Sequence, residues 1–418
     1  MKKKLIIILC LLLLCSCTTK EVDTSTTTTK KVDKKLYNTP KDLVIEQNKT
    51  EFELFSNVLS TELIGETNAT ITSEETTLDT LSPGEHTYTV DLEYNNKKYK
   101  HDFKYTVKDV TPPFVLTYNK TAYTKLGIVP NPCSSANFVD DYDDEPYCEI
   151  VGEYDVFQDG DYKVQYRFYD SSNNETLRDL TIKVVEEMPV FPTTTKAATP
   201  KTKTYIKDVI NKYKTNDTMI GIDVSRYQGD IDFEKVKASG VEFVIMRLGI
   251  QSNINKDISV DTKYYQNIKN AKAAGLKVGV YVFTTATNRA KAKEHAEWTL
   301  NILNGEELDF PIAYDWENWN KFGSYKTSIF HLSDGFDAFY DTVNKEGYTA
   351  MLYSSKRYLE KVWMNRFDRP VWLAHYTSNL NKSSYEGKYI MWQLCSNGRV
   401  DGIKGNVDLD IYYKQKEE

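Results

Sequence analysis

Residues 221–249 read GIDVSRYQGDIDFEKVKASGVEFVIMRLG, and this stretch decides the fold of the C-terminal half of the chain. A short apolar run at 221–224 is followed by an amphipathic stretch near 233–238 and by a second apolar run at 243–249. This change between strand-like and helix-like periodicity is typical of strand–helix–strand units in a parallel sheet. The stretch therefore predicts an α/β domain.

The same alternation continues to the end of the chain. Further strands are predicted at 278–283, 311–314, 350–353, 371–374, 390–394 and 407–412, with helices near 262–274, 289–303, 335–344 and 356–362. Eight strands with five helices predict a TIM-like α/β barrel in residues 204–418, with little room for helices between its last three strands.

The N-terminus has the features of an export signal. Lysines at positions 2 to 4 precede an apolar run at 5–14, which is too short to span a bilayer comfortably. Leu14, Cys15, Ser16 and Cys17 resemble a bacterial lipobox, in which cleavage leaves a lipidated cysteine as the first mature residue. An ordinary cleaved signal with a chance cysteine is the alternative. We therefore expect a protein anchored in the lipid bilayer through Cys17, on the extracellular face of the bacterial cytoplasmic membrane and facing the cell wall.

Short alternating strands fill the region between this signal and the barrel. They are separated by turn signals such as Pro83-Gly84 and Asn95-Asn96, and their pattern repeats after Thr111-Pro112-Pro113. This predicts two all-β modules that resemble bacterial immunoglobulin-like sandwiches. The predicted order is a signal peptide (1–16), a lipidated cysteine and Thr/Lys-rich stalk (17–36), two β-sandwich modules (37–110 and 111–187), a Pro/Thr-rich linker (188–203) and the barrel (204–418).

Charge and residue counts exclude some classes of function. The 418 residues carry a net charge of −7, which argues against a nucleic-acid partner. Five histidines and six cysteines, with no C-x-x-C and no H-E-x-x-H, predict no metal-dependent chemistry, and we expect no cofactor and a monomer.

Two features of the second module leave alternatives open. Cys133 and Cys148 either form a disulfide, which an extracellular compartment permits, or remain free thiols. The acidic run Asp140, Asp141, Asp143, Asp144 and Glu145 either binds calcium or forms a solvated loop, which is the more common role of such runs.

Four acidic residues are predicted at one rim of the barrel. Asp223 ends the first strand, Asp315 and Glu317 end the fourth, and Asp408 lies in the eighth. Reactive groups of such barrels gather where strands end. Period-two alternation places Asp315 and Glu317 on one face. Because two neighbouring carboxylates repel each other, one of them should have a raised pKa and donate a proton near neutral pH. Alternatively, each acid caps a helix or pairs with Arg247 or a lysine.

Aromatic residues accompany these acids. Sugars stack their C–H faces on such rings. The candidate substrate-binding residues are Tyr227, Tyr281, Phe283, Trp319, Tyr353, Trp372 and Trp392.

Several ordered motifs resemble those of glycoside hydrolase family 25, the Chalaropsis-type lysozymes. They are GIDVSRYQG at 221–229, YVF at 281–283, AYDWE at 313–317, WLA at 372–374, WQ at 392–393 and GNVDLD at 405–410. The resemblance implies a (β/α)5β3 barrel that cleaves the β-1,4 bond from N-acetylmuramic acid to N-acetylglucosamine in peptidoglycan, with retention. It also implies that Glu317 is the general acid/base and Asp315 its partner, either a nucleophile or a group that positions the substrate's 2-acetamido oxygen. Asp223 and Asp408 complete the acidic cluster.

Val282 departs from this resemblance, because many relatives carry an aromatic residue or histidine there. The departure concerns fine specificity and removes no carboxylate. The sequence thus predicts a muramidase that acts on peptidoglycan glycan strands. The alternatives are a wall-binding or adhesive lipoprotein that cuts nothing, and a hydrolase of another N-acetylhexosamine polymer.

Overall fold

A computed structural model describes residues 43–47, 70–72, 78, 80, 82–94, 96–191, 203–364 and 369–415. The predicted signal peptide, Cys17, the stalk and most of the predicted linker lie outside these residues. The chain divides into two compact units, Met1–Lys108 and Asp109–Glu418, which are described separately below. Among the helices of the described residues, none is long and apolar enough to cross a membrane.

The first unit contains a four-stranded sheet with the order β1-β4-β3-β2. Its strands are β1 (Leu43–Glu46), β2 (Thr70–Ile71), β3 (Gly84–Tyr94) and β4 (Lys97–Lys108). β3 and β4 form an antiparallel hairpin whose turn contains Asn96 in the left-handed region, at φ 58°. The predicted Asn-Asn turn signal therefore marks a hairpin, because asparagine tolerates this conformation.

The second unit begins with a β-rich segment at residues 109–191. Its strands are β5 (Phe114–Thr117), β6 (Thr121–Lys125), β7 (Asn137–Val139), β8 (Tyr147–Val151), β9 (Gly160–Tyr169) and β10 (Glu175–Val185). Four of them form a sheet of order β6-β10-β9-β8, and β5 pairs with β7. Buried residues alternate along β9, and a disulfide joins Cys133 to Cys148. An immunoglobulin-like topology stays a prediction for both β-rich regions.

The rest of the second unit is a closed eight-stranded barrel. Its strands are β12 (Thr218–Val224), β13 (Phe243–Ile250), β15 (Lys277–Phe283), β16 (Ile312–Asp315), β17 (Ala350–Ser355), β18 (Val371–Ala374), β19 (Met391–Arg399) and β20 (Val407–Tyr413). Two short strands, β11 (Thr204–Tyr205) and β14 (Ser259–Val260), pair with β19 and β13. The barrel predicted from the alternating pattern is confirmed.

Helices surround the barrel. They are α1 (Ile206–Tyr213), α2 (Phe233–Ala238), α3 (Tyr264–Ala273), α4 (Arg289–Leu303), α5 (Ile329–Lys345) and α6 (Lys356–Lys361), with a 3-10 helix at Trp319–Ser324. Between β18, β19 and β20 the described residues contain only a short 3-10 helix at Ser378–Leu380. This agrees with the little room that the sequence leaves there.

The last strand departs from the parallel pattern. The other seven barrel strands, β12, β13 and β15 to β19, pair parallel with one another, whereas β20 pairs antiparallel with both β19 and β12. This places the beginning of β20 beside the end of β12, with Asp408 opposite Asp223. Asp408 therefore reaches the same rim as the strand-end acids, although it lies near the start of its strand.

The barrel interior explains the apolar runs in the sequence. All seven residues of β12 are buried, because parallel strands are covered on both faces. Gly221 is required there, since a Cβ at this position would lie 2.4 Å from the ring of Phe243. The Phe243 ring itself packs against Phe310 and Tyr412 inside the barrel.

The β-rich segment at 109–191 packs directly on the barrel. The Asn137 side chain donates to the Trp319 carbonyl and accepts from the Gly323 N–H at 3.1 Å. The backbone carbonyls of Asp140 and Asp141 accept from Ile329 and Phe330, the first two residues of α5. The segment and the barrel are therefore in direct contact.

Candidate active site

Four acidic residues from three strands meet in one cleft at the mouth of the barrel. Asp223 lies near the end of β12, Asp315 ends β16, Glu317 follows two residues later, and Asp408 lies at the start of β20. The cleft has a volume of about 300 Å³. An adjoining part of about 200 Å³ is bordered by the same four carboxyl groups. The structure thus brings together the four acids that the sequence predicts.

Asp315 and Glu317 have different environments. Asp315 is 4% exposed, and its buried Oδ1 has no hydrogen-bond partner among the residues that the structure describes. Glu317 is exposed to the cleft. Desolvation and repulsion from Glu317 hold the pKa of Asp315 well above its ordinary value, and Arg247 opposes this rise.

Glu317 is suited to proton transfer near neutral pH. Desolvation by the walls of the cleft, together with repulsion from Asp408, raises the pKa of Glu317 to about 7. An acid whose pKa lies close to the working pH can both give and take a proton. Glu317 therefore fits the role of a general acid and base.

Asp410 adds a fifth carboxyl beneath the cleft. It is fully buried and accepts a hydrogen bond from Trp372 Nε1 at 3.0 Å. Burial and repulsion from Asp408 and Asp410 raise the pKa of Asp223 well above its ordinary range. The hydrogen bond between the Asp223 and Asp410 side chains raises the pKa of Asp223 and lowers that of Asp410. Burial raises the pKa of Asp410 well above its ordinary range as well.

Gln393 organises one wall of the cleft. Its Nε2 donates to Asp223 Oδ2 at 2.7 Å, and its Oε1 accepts from the hydroxyls of Tyr353 and Tyr376 at 2.8 and 2.7 Å. Gln393 and Asp410 are absent from the predicted site. A signal existed for Asp410, because it lies two residues from Asp408 on the same strand and so shares its face.

Arg247 supports the opposite wall. Its guanidinium forms a buried ion pair with Asp261 at 2.6 Å, and its Cζ lies 5.2 Å from the centre of the Tyr227 ring. Tyr227 is 73% exposed at the cleft, so its ring offers a surface for stacking. Arg247 pairs with Asp261 instead of with one of the rim acids.

Five of the seven predicted aromatic residues line the cleft. They are Tyr227, Tyr281, Phe283, Tyr353 and Trp372. Tyr376 lines the cleft as well and is 51% exposed.

Trp319 and Trp392 do not line the cleft, which corrects the sequence prediction. Trp319 is 4% exposed and stacks on Tyr358 with ring centres 4.1 Å apart. Trp392 is 1% exposed, donates to the His375 carbonyl and packs against Tyr213 of α1. On β19 Gln393 faces the cleft, so alternation turns its neighbour Trp392 outward to the helix layer.

The arrangement supplies what cleavage of a glycosidic bond needs. It combines a proton donor of raised pKa, a buried neighbouring carboxyl, aromatic surfaces and several hydrogen-bonding groups in one open cleft. Among the described residues, the acids close enough to hold a metal ion are Asp109, Asp140 and Asp141, outside this cleft.

Comparison with known proteins agrees with this chemistry. Residues 222–403 match the family model Glycosyl hydrolases family 25. The matched region runs from the last three residues of β12 to just beyond β19 and contains three of the four acids, whereas Asp408 follows it. The resemblance that the sequence motifs imply is confirmed for this region.

Two curated relatives and one solved structure describe the likeness further. The autolytic lysozyme of Clostridium acetobutylicum is 31% identical over 195 residues, which cover 46% of this chain and 56% of that protein. Lysozyme M1 of Streptomyces globisporus is 26% identical over 200 residues, covering 45% of this chain and 65% of that protein. A family 25 glycosyl hydrolase from Bacillus anthracis has a TM-score of 0.39 at 20% identity, covering 48% of this chain and 91% of that one. The chain therefore spans less than two thirds of both curated relatives.

Proposed function

We propose that this protein is a glycoside hydrolase that cleaves peptidoglycan. The observation that carries the proposal is Glu317, a carboxyl with a pKa of about 7 that faces an open cleft beside the buried Asp315. Both curated relatives described above are lysozymes by name, which supports the same substrate class. The bond proposed is the β-1,4 linkage from N-acetylmuramic acid to N-acetylglucosamine.

Glu317 acts first as the acid in the proposed mechanism. Its proton passes to O4 of the departing N-acetylglucosamine as the bond from C1 of the muramic acid to that oxygen breaks. Glu317 is then a carboxylate and takes a proton from the water that attacks C1 in the second step. This double role requires a pKa near the working pH, which desolvation and Asp408 supply.

Asp315 positions the substrate in this mechanism. Asp315 lines the cleft, so its carboxyl group can accept a hydrogen bond from the N–H of the 2-acetamido group. The acetamido oxygen can then attack C1 and form a cyclic intermediate, whose opening by water gives net retention. Because Asp315 is buried, its ionised form is energetically unfavourable. This favours a positioning role over direct attack on carbon.

The experiment is digestion of purified peptidoglycan with the full chain, followed by borohydride reduction and mass spectrometry. Reduced muramic acid at the new ends would identify a muramidase, whereas reduced glucosamine ends would assign a different bond. Glu317→Gln keeps the size of the side chain but cannot exchange the proton, so the rate should fall about 100- to 10,000-fold. Glu297→Gln, a change at an exposed residue of α4, is the matched control and should retain full activity.

Two further outcomes are decisive. Saturable binding to cell wall without new reducing ends would replace the proposal with a binding function, and full activity of Glu317→Gln would remove Glu317 from the mechanism. Peptidoglycan with N-deacetylated muramic acid tests the role of the acetamido group. Unchanged cleavage of this substrate would instead assign Asp315 as the nucleophile.

A further inference from the structure

Three carboxyl groups meet inside the β-rich segment, away from the cleft. Asp109 comes from the start of the second unit, and Asp140 and Asp141 follow β7. One oxygen from each lies within 4.8 Å of one from each of the others. Asp109 is 4% and Asp140 1% exposed, and Asp141 is partly buried.

Two of the carboxyl oxygens have no hydrogen-bond partner within the described part of the chain. Asp140 Oδ1 accepts from the N–H groups of Tyr142 and Asp143, both at 2.8 Å, but its Oδ2 is buried without a hydrogen bond. Asp141 Oδ1 is also buried without one. Among the described residues, no lysine, arginine or histidine forms an ion pair with any of the three acids.

Burying three carboxylates close together is energetically unfavourable unless a positive charge neutralises them. Burial disfavours the charged forms of Asp140 and Asp141, and repulsion from Asp109 adds to the unfavourable energy of both. The buried Asp170 adds further repulsion to Asp109 and Asp141. Unpaired carboxylates in a protein interior are strongly unfavourable, so this site requires either protons or a cation.

The spacing and the ligand type indicate which cation fits. Ca²⁺ binds oxygen at about 2.3–2.6 Å, so ligands on opposite sides of the ion are about 4.6–5.2 Å apart. The three oxygens lie within 4.8 Å of one another, which is close enough for one ion of this size to contact all three. Histidine and cysteine are absent from the group, which disfavours zinc, and Mg²⁺ needs shorter and more regular coordination.

We propose that Asp109, Asp140 and Asp141 bind one Ca²⁺ ion, with their two unpartnered buried oxygens among its ligands. This structural site differs from the sequence expectation in two ways. The sequence predicts no metal site in its final interpretation, and its calcium alternative groups Asp140 and Asp141 with Asp143, Asp144 and Glu145. The structure leaves Asp144 and Glu145 exposed and supplies Asp109 from a distant part of the chain instead.

The site lies directly behind the contact with the barrel. The carbonyls of Asp140 and Asp141 accept from Ile329 and Phe330 at 3.0 and 2.9 Å, while Asp144 Oδ1 accepts from the Ser328 N–H at 2.7 Å. All three donors belong to the beginning of α5. Bound Ca²⁺ therefore fixes the loop that joins the β-rich segment to the barrel, and its removal should loosen this joint.

The test uses the full chain after removal of metal with EDTA and dialysis. Calorimetric titration with CaCl₂ should show one binding site, and saturating Ca²⁺ should raise the melting temperature by about 5 °C. MgCl₂ should bind at least tenfold more weakly. These readouts do not depend on activity, so they are independent of the proposed function.

Asp140→Asn is the test variant, because its side-chain oxygen can still accept from Tyr142 and Asp143. It should lose at least tenfold in Ca²⁺ affinity, yet in EDTA it should be as stable as the parent chain or more so, since one buried charge is gone. Glu145→Gln, which removes only an exposed ion pair with Lys326, is the control and should bind Ca²⁺ like the parent. Asp109→Asn repeats the test if Asp140→Asn does not fold.

The proposal is overturned if the parent chain shows no Ca²⁺ binding heat and no rise in melting temperature. It is equally overturned if Asp140→Asn or Asp109→Asn binds Ca²⁺ as tightly as the parent, because the ion would then occupy another site.

Discussion

At the scale of single residues, the chemistry of the site depends on how far each carboxyl group is exposed to water. Asp315 and Asp223 are buried and Glu317 faces the cleft, although all three lie on one rim. The D-x-E spacing shows from sequence alone that Asp315 and Glu317 share a pocket. Their different pKa shifts depend on charged neighbours such as Arg247 and Asp408, which come from distant strands, so they could not be predicted.

The pH dependence of kcat/KM should reflect Glu317. Because its pKa is raised to about 7, Glu317 stays protonated up to neutral pH, and activity should fall about tenfold per pH unit above that value. Asp408→Asn removes the repulsion that contributes to this rise, so the alkaline limb should move to lower pH. The measurement is release of reducing ends from soluble peptidoglycan fragments between pH 4 and pH 9. An alkaline limb at the same pH in the parent and in Asp408→Asn would contradict this origin of the pKa.

The raised pKa of Glu317 also makes the stability of the folded chain depend on pH. The pKa of Glu317 is higher in the folded than in the unfolded chain, so the unfolded chain holds fewer protons between about 4.5 and 7. The contribution of Glu317 to stability therefore decreases as the pH rises through this window. The raised pKa that suits Glu317 to catalysis therefore lowers the stability of the folded chain at neutral pH.

At the scale of elements, the 3-10 helix at Trp319–Ser324 follows Glu317 and is held from two sides. Trp319 packs among Trp316, Phe322 and Tyr358, and the Asn137 side chain bonds the backbone at Trp319 and Gly323. The sequence predicts no such element and assigns Trp319 to substrate binding. Local pattern could not reveal it, because Tyr358 and Asn137 come from other parts of the chain.

Asn137→Ala should weaken this element. It leaves the buried Trp319 carbonyl and Gly323 N–H without their partner, which should cost about 1–3 kcal/mol of unfolding free energy. Looser placement of the backbone after Glu317 should also lower kcat about threefold to tenfold, with a smaller change in KM. Urea unfolding and steady-state kinetics measure the two effects.

Asn119→Ala is the matched control for that variant, because Asn119 lies in the same β-rich segment and makes an exposed hydrogen bond to Ser135. Equal stability and kcat in the two variants would show that Asn137 does not anchor the helix.

At the scale of the whole molecule, the β-rich segment at 109–191 and the barrel form one compact unit. The sequence instead places a linker between two separate domains, because the Pro/Thr-rich composition of 188–203 is typical of a flexible connection. The composition of a connecting segment predicts the flexibility of that segment alone. Whether the surfaces on either side bind each other depends on contacts such as those of Asp140 and Asp144 with α5.

This unit should unfold in a single transition that depends on the Cys133–Cys148 disulfide. The bridge spans 15 residues, and cleaving a loop of that length should cost about 3 kcal/mol, lowering the melting temperature of the barrel by about 5 °C. Differential scanning calorimetry of the full chain with and without reductant measures the change. The double variant Cys133→Ser and Cys148→Ser should melt at the lower temperature and no longer respond to reductant. A barrel transition that is insensitive to reductant would show that the segment and the barrel unfold separately.

The sequence by itself determined the eight barrel strands and the residue pairs that sit close in the chain, such as Asp315 with Glu317. These follow from apolar runs and from the two-residue and 3.6-residue periods, which are local properties. The tertiary structure alone decided the antiparallel direction of β20, the outward position of Trp392 and the meeting of Asp109 with Asp140. Each of these depends on strand register or on contacts between distant segments, and a shift of one residue in register would turn every side chain of a strand to the opposite face.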